Sequence, residues 1–400
     1  MRHRALALFV CTSAAFAPNS AHAIPPWARK YSMSCAGCHQ PVVPRLNATG
    51  LMFKWAGYRM PNELGDKMEV KKIEEYLAAR AIVRYNYEKT QRANADVNAL
   101  DVPSASLFAA GPVGKYYGAF IEFERTSDSR VDLIAQLSAV WGKENGFGGV
   151  RVGMGHLIVG GAVAGFDRPT GILSPLALER PLTSSGIPFS FAGDLAGAEA
   201  YYVAGSRNRT SIQVVNGAPQ ITRGDSPRSA RPTTDFVLSN QLIWDAAGSG
   251  LSTVAYFGAI TGLDSSNANG SSRYVRLAAS ANKFIGPFEI VGGYAYSRDS
   301  NVPFGDASGV ATSSPSGNAY WFTGQYTLPV SSLTVFGRFE SLDPNRAIAD
   351  DAIRRVVFGG VLPLNAPAYV RLALEYFREL PQLSGSARRN GLALEAQIAF

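Results

Sequence analysis

The 400-residue chain is poor in cysteine and histidine, with three and four respectively, and it lacks long apolar runs. One cysteine, Cys11, lies within the first 23 residues, so Cys35 and Cys38 are the pair left for the rest of the chain. Two cysteines do not make a disulfide scaffold. No later apolar run approaches the ~20 residues of a transmembrane helix, so a membrane span has to be made of strands. Basic clusters interleaved with aromatics are also lacking, which argues against nucleic acid as a partner despite a net charge of +7.

Residues 1–23 have the pattern of a cleavable secretory signal. Two arginines precede a short apolar run, and small residues surround the expected cleavage site at 21–23. A lipoprotein signal ending at Cys11 is a less supported alternative, because little apolar sequence precedes it. We therefore expect an exported protein whose mature chain begins near Ile24.

From about residue 80 to residue 400 the sequence alternates between apolar and polar side chains. In the segment 131–141, Val131, Leu133 and Leu137 fall on one face, and Asp132 and Gln136 fall on the other. About sixteen such segments follow one another, and short turns alternate with longer polar connections. This rhythm predicts an all-β fold, an antiparallel outer-membrane β-barrel of about 16 strands that ends on the aromatic Phe400. A soluble β-sandwich explains the alternation but not the rhythm of the connections.

The polar face of these strands predicts the lining of the lumen. We interpret each charged side chain on this polar face, considered by itself, as solvated. The connection 158–197 is long and apolar, and the sequence leaves open whether it folds into the lumen or forms an ordered external loop. The predicted lumen-facing charges are Glu122, Glu124, Asp132, Arg338, Glu340, Arg371, Glu375 and Glu395.

Residues 24–79 form a different kind of segment, in which prolines interrupt long helices. Apolar residues at helical spacing predict a short amphipathic helix over 69–81. The segment is too short for a generous core of its own. We therefore expect it to plug or abut the periplasmic mouth of the barrel, giving three parts: a signal peptide (1–23), a haem segment (24–79) and the barrel (80–400).

Within the haem segment, Cys35 and Cys38 are followed directly by His39. This C-x-x-C-H run is the attachment motif for a c-type haem. The two thiols are spaced to form thioethers with one porphyrin, and the imidazole follows as the proximal iron ligand. A disulfide between the cysteines would leave His39 unexplained, and zinc would need a fourth ligand that the sequence does not supply nearby. The motif predicts one covalently bound haem c.

The sixth iron ligand is less determined by the sequence. Methionine often serves in cytochromes c, and Met60, followed by a proline, is our candidate for the distal ligand. Met52 and Met68 remain alternatives, as does an open site. His156 shares its strand face with apolar residues, so we expect it to face lipid or the rim.

The stretch 25–61 resembles the leader of the fused monohaem cytochrome–porins of iron-oxidising bacteria. The matching elements are residues 27–29 (Trp-Ala-Arg), the C-x-x-C-H run, residues 44–47 (Pro-Arg-Leu-Asn) and residues 57–58 (Gly-Tyr). Trp27 replaces the more usual phenylalanine, and residues 41–43 depart from the usual aromatic-Pro approach. By motif the resemblance covers about the first fifth of the chain, and beyond that only the architecture agrees.

The resemblance implies an electron conduit in the bacterial outer membrane, with the haem segment on the periplasmic side or inside the barrel. Extracellular Fe(II) would donate electrons through the haem to a periplasmic c-type cytochrome, so that the protein would act as an Fe(II):cytochrome c oxidoreductase. Two alternatives stay open: a conduit for another extracellular donor or acceptor, and a solute porin with a structural or sensory haem. Carboxylates of the outer loops are candidate sites for attracting Fe(II): Asp264, Asp299, Asp343, Asp350 and Asp351.

Overall fold

The computed structural model describes most of the chain after the predicted signal. The residues described are 26–40, 45–68, 72–90, 96–127, 131–155, 171–180, 191, 195–216, 231–232, 234–261, 271–300, 314–364, 369–382 and 388–399. The predicted signal (1–23), His156, Asp264 and Phe400 lie outside these residues, as does most of the 158–197 connection.

Sixteen long strands and one two-residue strand form a single antiparallel sheet, with each long strand paired to its neighbours. The sheet closes because β1 pairs with both the second and the last strand, in a register that runs from Arg80 opposite Ala399 to Thr90 opposite Arg389. The predicted barrel of about 16 strands is therefore confirmed. The strands are β1 Leu77–Thr90, β2 Val97–Val113, β3 Tyr117–Thr126, β4 Val131–Lys143, β5 Gly146–Gly155, β6 Leu195–Ala204, β7 Asn208–Asn216, β8 Arg231–Pro232, β9 Thr234–Ile243, β10 Gly250–Thr261, β11 Ser271–Ile285, β12 Phe288–Asp299, β13 Ser316–Thr327, β14 Thr334–Asp343, β15 Ile353–Leu364, β16 Tyr369–Pro381 and β17 Arg389–Ala399.

The barrel is apolar outside and charged inside. On β4, Leu133, Leu137 and Trp141 are 40%, 49% and 52% exposed, while Gln136 and Ser138 are buried in the interior. The same division holds around the sheet, where buried Arg and Glu side chains occupy the inner face. A soluble β-barrel would show the opposite arrangement, so the outer face is suited to lipid.

The two ends of the barrel differ in their connections. Seven connections, those that begin after Val113, Lys143, Ala204, Ile243, Ile285, Thr327 and Leu364, have two to six residues. We call this end the short-turn mouth. Most connections at the opposite end are longer, and together they form the long-loop mouth. Among the described residues, no helix is long and apolar enough to cross a membrane.

The helix predicted over 69–81 is wrong. In the described part of that range, Ile73–Glu75 make a single 3₁₀ turn and β1 begins at Leu77. Leu77 to Ala81 pair with Ala109 to Ala105 of β2. Local periodicity favours a helix here, but the backbone groups of the first strand are needed to close the sheet, and an unpaired strand edge in a barrel is costly.

Residues 171–180 cross the lumen. Ile172 packs on an apolar cluster from β14 to β17, whereas Leu176 and Leu178 pack on a second cluster that extends from β6 to β14. Within this segment, Leu176–Glu179 form a short helix. Of the two alternatives for the 158–197 connection, the inward fold therefore holds for its described part from 171 to 180.

Charged residues of the wall hold this crossing segment in place. The Glu375 carboxylate accepts hydrogen bonds from the backbone N–H groups of Ile172 and Leu173 at 2.7 and 3.1 Å. Arg338 donates to the carbonyl oxygen of Leu173 at 3.0 Å, and Glu340 accepts from the Leu176 N–H. The predicted charges do face inward, but describing them as solvated is wrong for these residues, because the crossing segment covers and pairs with them.

The described N-terminal residues, 26–40 and 45–68, lie inside the short-turn mouth. They contain two helices, α1 (Pro26–Tyr31) and α2 (Ala48–Trp55), and 3₁₀ turns at Cys35–Gly37 and Pro61–Glu63. Leu51, Met52 and Trp55 of α2 pack on an apolar patch of the inner wall made by Val140, Phe147, Tyr201, Val203, Ile243 and Val291. The segment therefore uses the barrel wall as half of its core.

Candidate haem site

The C-x-x-C-H run folds as a tight turn. A 3₁₀ turn spans Cys35–Gly37, and the Cys35 carbonyl oxygen accepts hydrogen bonds from the N–H groups of Cys38 and His39 at 3.2 and 2.9 Å. A turn of this kind places residues three positions apart on one side. Both thiols and the imidazole accordingly line the same cavity.

Asn47 fastens this turn to α2. Its Nδ2 donates to the carbonyl oxygens of Ala36 and Gly37, both at 3.1 Å. Its Oδ1 accepts from the Gly50 N–H at 3.0 Å, which caps the helix N-terminus. The backbone N–H of Asn47 also donates to the carbonyl oxygen of Cys38 at 3.0 Å. Asn47 therefore connects the C-x-x-C-H motif to the helix that packs on the barrel. It is the asparagine of the 44–47 element identified in the sequence.

The cavity has a volume of about 260 Å³ and a largely apolar lining. It is bounded on one side by the N-terminal residues and on the other by the barrel wall. The N-terminal side contributes the three residues of the motif and Met60, together with aromatic rings. Four side chains of β3 and β4 complete it: Phe120, Glu122, Ile134 and Gln136.

The structure distinguishes the methionine candidates. Met60 lines the cavity with Cys35, Cys38 and His39. Met52 is buried in the cluster between α2 and the wall, and Met68 pairs its backbone with Gly114 at the mouth. Met33, which the sequence analysis did not consider, also lines the cavity. Its position in the sequence, two residues before Cys35, could have indicated that it lies close to the motif.

A stack of three aromatic rings connects the N-terminal residues to the wall. The rings of Trp27 and Tyr58 lie 5.5 Å apart at 16°, and those of Tyr58 and Phe120 lie 5.6 Å apart at 23°. Gly57 and Tyr58 both have left-handed backbones, with φ of 74° and 63°. The Gly57 carbonyl lies so close to the Cα of Gly118 on β3 that no side chain fits there. Two glycines thus permit the close approach that brings Tyr58 onto Phe120.

Buried polar contacts anchor the segment in the mouth. Arg45 makes a bidentate ion pair with Glu289 of β12, with one bond at 2.8 Å. Arg59 donates to the carbonyl oxygens of Lys115 and Tyr117 at 2.7 and 2.5 Å. The Tyr201 hydroxyl donates to the Trp55 carbonyl at 2.6 Å. These contacts join the segment to strands on different sides of the mouth.

The chemistry of the cavity fits a c-type haem. Both cysteines are free thiols, and burial raises the pKa of each thiol, so both are protonated at neutral pH. The two thiols, the imidazole and the thioether of Met60 converge on an apolar space lined by aromatic rings. A covalent haem requires these donor groups and such apolar surroundings. Over the described ranges, no three His, Cys, Asp or Glu side chains are arranged to bind a metal ion by themselves.

The candidate Fe(II)-attracting carboxylates are not equivalent. Asp299 is fully buried and ion-paired with Arg276 at 2.5 Å. Asp350 and Asp351 lie in the connection between β14 and β15, and Asp350 has a left-handed backbone. Burial and the neighbouring carboxylate of Asp343 raise the pKa of Asp351 to about 6.

This raised pKa predicts a pH-dependent effect on stability. Between the ordinary pKa of aspartate, near 4, and about 6, the folded protein keeps a proton that the unfolded chain has lost. The contribution of Asp351 to stability therefore falls as the pH rises through this window. We expect Asp351→Asn to be neutral at pH 4 and stabilising at pH 7.5, by less than about 1 kcal/mol because the side chain is only partly buried and solvent screens its charge. Urea unfolding at the two pH values measures this, and equal effects at both would contradict it.

Comparisons with known proteins give the fold. No protein-family model matches the sequence, and no curated protein matches it. Among solved structures, OmpF of Salmonella typhi in complex with daunomycin has a TM-score of 0.58 at 14% identity, covering 80% of this chain and 96% of that one. An anion-selective porin from Comamonas acidovorans has a TM-score of 0.56 at 13% identity, covering 81% and 99%.

The outer membrane channel DcaP of Acinetobacter baumannii is similar at a TM-score of 0.53 and 13% identity, covering 81% of this chain and 96% of that one. At identities this low the likeness concerns architecture and not activity. With the closed sheet, the apolar outer face and the charged inner face described above, it leads to one conclusion: the chain has the fold of an outer-membrane porin.

Proposed function

We propose that this protein is an outer-membrane electron conduit in which a porin-fold barrel holds a single covalent haem c in its short-turn mouth. The observation that carries the proposal is the cavity shared by Cys35, Cys38, His39 and Met60. Four residues that are spread over 26 positions converge there, and each type is one that a cytochrome c uses. The resemblance of residues 25–61 to the leader of cytochrome–porins supports the same assignment.

Each of these residues has a definite task in the proposal. Cys35 and Cys38 would form the two thioethers, His39 would be the proximal ligand and Met60 the distal one. When bound, the haem supplies one-electron chemistry between the ferric and ferrous states. The rings of Trp27, Tyr58 and Phe120 give the cavity an apolar wall and pack the segment against the barrel.

The proposed electron donor is extracellular Fe(II), and the proposed acceptor is a periplasmic c-type cytochrome. Fe(II) loses one electron at the long-loop mouth, and the periplasmic carrier accepts one at the short-turn mouth. The protein would therefore act as an Fe(II):cytochrome c oxidoreductase. In this arrangement the short-turn mouth is periplasmic, as the short turns of outer-membrane barrels are.

The segments that lie inside the lumen favour a conduit over an open pore. Residues 171–180 contact inner-wall clusters that together extend from β6 to β17, and residues 26–40 and 45–68 lie in the short-turn mouth. These two sets of residues occupy part of the lumen at two levels and narrow the path for solutes. Electron transfer through bound groups does not need an aqueous path.

A solute porin with a structural or sensory haem is the second candidate, and the porin fold favours it. A flux measurement on vesicles that contain the purified protein distinguishes the two functions. A conduit predicts that small sugars and ions do not pass at a rate above that of empty vesicles. A solute porin predicts rapid swelling in sugar solutions.

The decisive experiment uses intact cells that produce the protein with haem-attachment machinery. We expect external Fe(II) to produce the reduced bands of a c-type haem, and we expect His39→Ala to abolish them. Thr49→Ala, a change at an exposed position of α2, is the matched control and should respond like the wild type. A covalent haem that dithionite reduces but Fe(II) does not would refute the iron assignment. The absence of covalent haem in the wild type would refute the conduit itself.

A further inference from the structure

The barrel forms part of the candidate haem cavity, and its contribution comes from two adjacent strands. Phe120 and Glu122 lie on the inner face of β3, and Ile134 and Gln136 lie on that of β4. Phe120 is opposite Gln136, and Glu122 is opposite Ile134, so the four side chains make a compact patch. Two members of this patch are polar.

The two polar side chains differ in whether their hydrogen-bonding atoms have partners. Glu122 is ion-paired with Arg80 at 3.1 Å. Gln136 is 8% exposed, and its side-chain oxygen is buried with no hydrogen-bond partner within the described ranges. Gln213 also has an unpartnered amide oxygen elsewhere in the lumen, but its nitrogen donates to Glu199 at 3.0 Å and it does not line the cavity.

A buried amide oxygen without a partner is costly, so native proteins usually supply one. Gln136 faces a cavity whose other wall carries the C-x-x-C-H motif. The polar groups that a haem brings are its two propionates and its axial ligands. The unpartnered oxygen of Gln136 can only accept, so it needs a donor such as the imidazole N–H of an axial ligand, whereas its amide nitrogen can donate to a propionate, which accepts.

We infer that Gln136 is a positioning residue for the haem, hydrogen-bonded to its polar edge or to an axial group. This inference rests on the proposed function. A hydrogen bond to a ligand or an edge group of a haem changes the relative stability of the ferric and ferrous forms. The barrel wall would therefore set part of the reduction potential of a haem that is covalently attached to another part of the chain.

The test is a redox titration of the purified full-length holoprotein, followed through its visible bands. Gln136→Leu keeps the size of the side chain and removes its hydrogen bonds. At the wild-type midpoint potential, we expect it to change the ferrous-to-ferric ratio by roughly two- to tenfold, the range of a single hydrogen bond. Gln213→Leu removes an inward amide that does not line the cavity and should leave the ratio unchanged.

Gln136→Glu keeps the hydrogen-bonding capacity and adds a negative charge. We expect it to stabilise the ferric form and so lower the ratio, because the added charge lies at the wall of the haem cavity; this variant tests the proximity of position 136 to the haem, and the leucine variant tests the hydrogen bond. It also provides a second test if the leucine variant does not fold. Full haem content with an unchanged ratio in the Gln136 variants would overturn this inference and leave the proposed function intact. A wild-type protein without covalent haem would overturn both.

Discussion

Under the proposed function, Gly50→Ala is expected to lower the covalent haem content of the purified protein by about tenfold or more, because the fold cannot relieve the resulting overlap without moving backbone. A Cβ at this position would lie well inside contact distance of the Cys38 carbonyl oxygen and 2.9 Å from a methyl group of Leu46. The obstructing atom is backbone within the attachment motif. Either α2 or the C-x-x-C-H turn must therefore move.

Haem absorbance per protein measures this effect. Thr49→Ala is the control, because Thr49 is the exposed neighbour on the same helix. A second readout is the rate at which protease releases the N-terminal segment, which should rise in Gly50→Ala and not in Thr49→Ala. Wild-type haem content in Gly50→Ala would mean that the attachment motif does not depend on its contact with α2.

Glu289→Gln is expected to release residues 26–68 from the mouth while the barrel stays folded. Glu289 is buried on β12, where it accepts hydrogen bonds from Arg45, Asn282 and Gln325. The substitution leaves the guanidinium of Arg45 buried without a countercharge. Removing one member of such a pair costs about 3–5 kcal/mol, and this cost falls on the docked state because the pair forms only when the segment is docked.

Limited trypsin digestion of the protein in detergent measures the release, and retention of the heat-modifiable gel band shows that the barrel is intact. Lys283→Gln is the matched control. It breaks an exposed ion pair with Asp245 at the same end of the barrel, where the expected cost is about 0–1 kcal/mol. Equal protection of the segment in Glu289→Gln and Lys283→Gln would show that the Arg45 pair does not hold the segment.

The sequence by itself determined the barrel and the content of the candidate site. Strict alternation, as in Leu133, Gln136 and Leu137, has a period of two that only strands satisfy, and it assigns each side chain to a face. The C-x-x-C-H run is equally local, because its chemistry depends on a spacing of three within one turn. The number of strands and the alternation of short and long connections followed from the same pattern.

Only the tertiary structure decided which parts of the chain meet. The pairing of Arg45 with Glu289 and the stacking of Tyr58 on Phe120 join residues far apart in the sequence. The approach of residues 171–180 to Glu375 is of the same kind. Local patterns do not encode such contacts, because their energy depends on the closed wall that brings the partners together. Closure likewise overrode the helical periodicity of 69–81, since the backbone of Leu77 to Ala81 gains a full ladder of hydrogen bonds only as the first strand of the barrel.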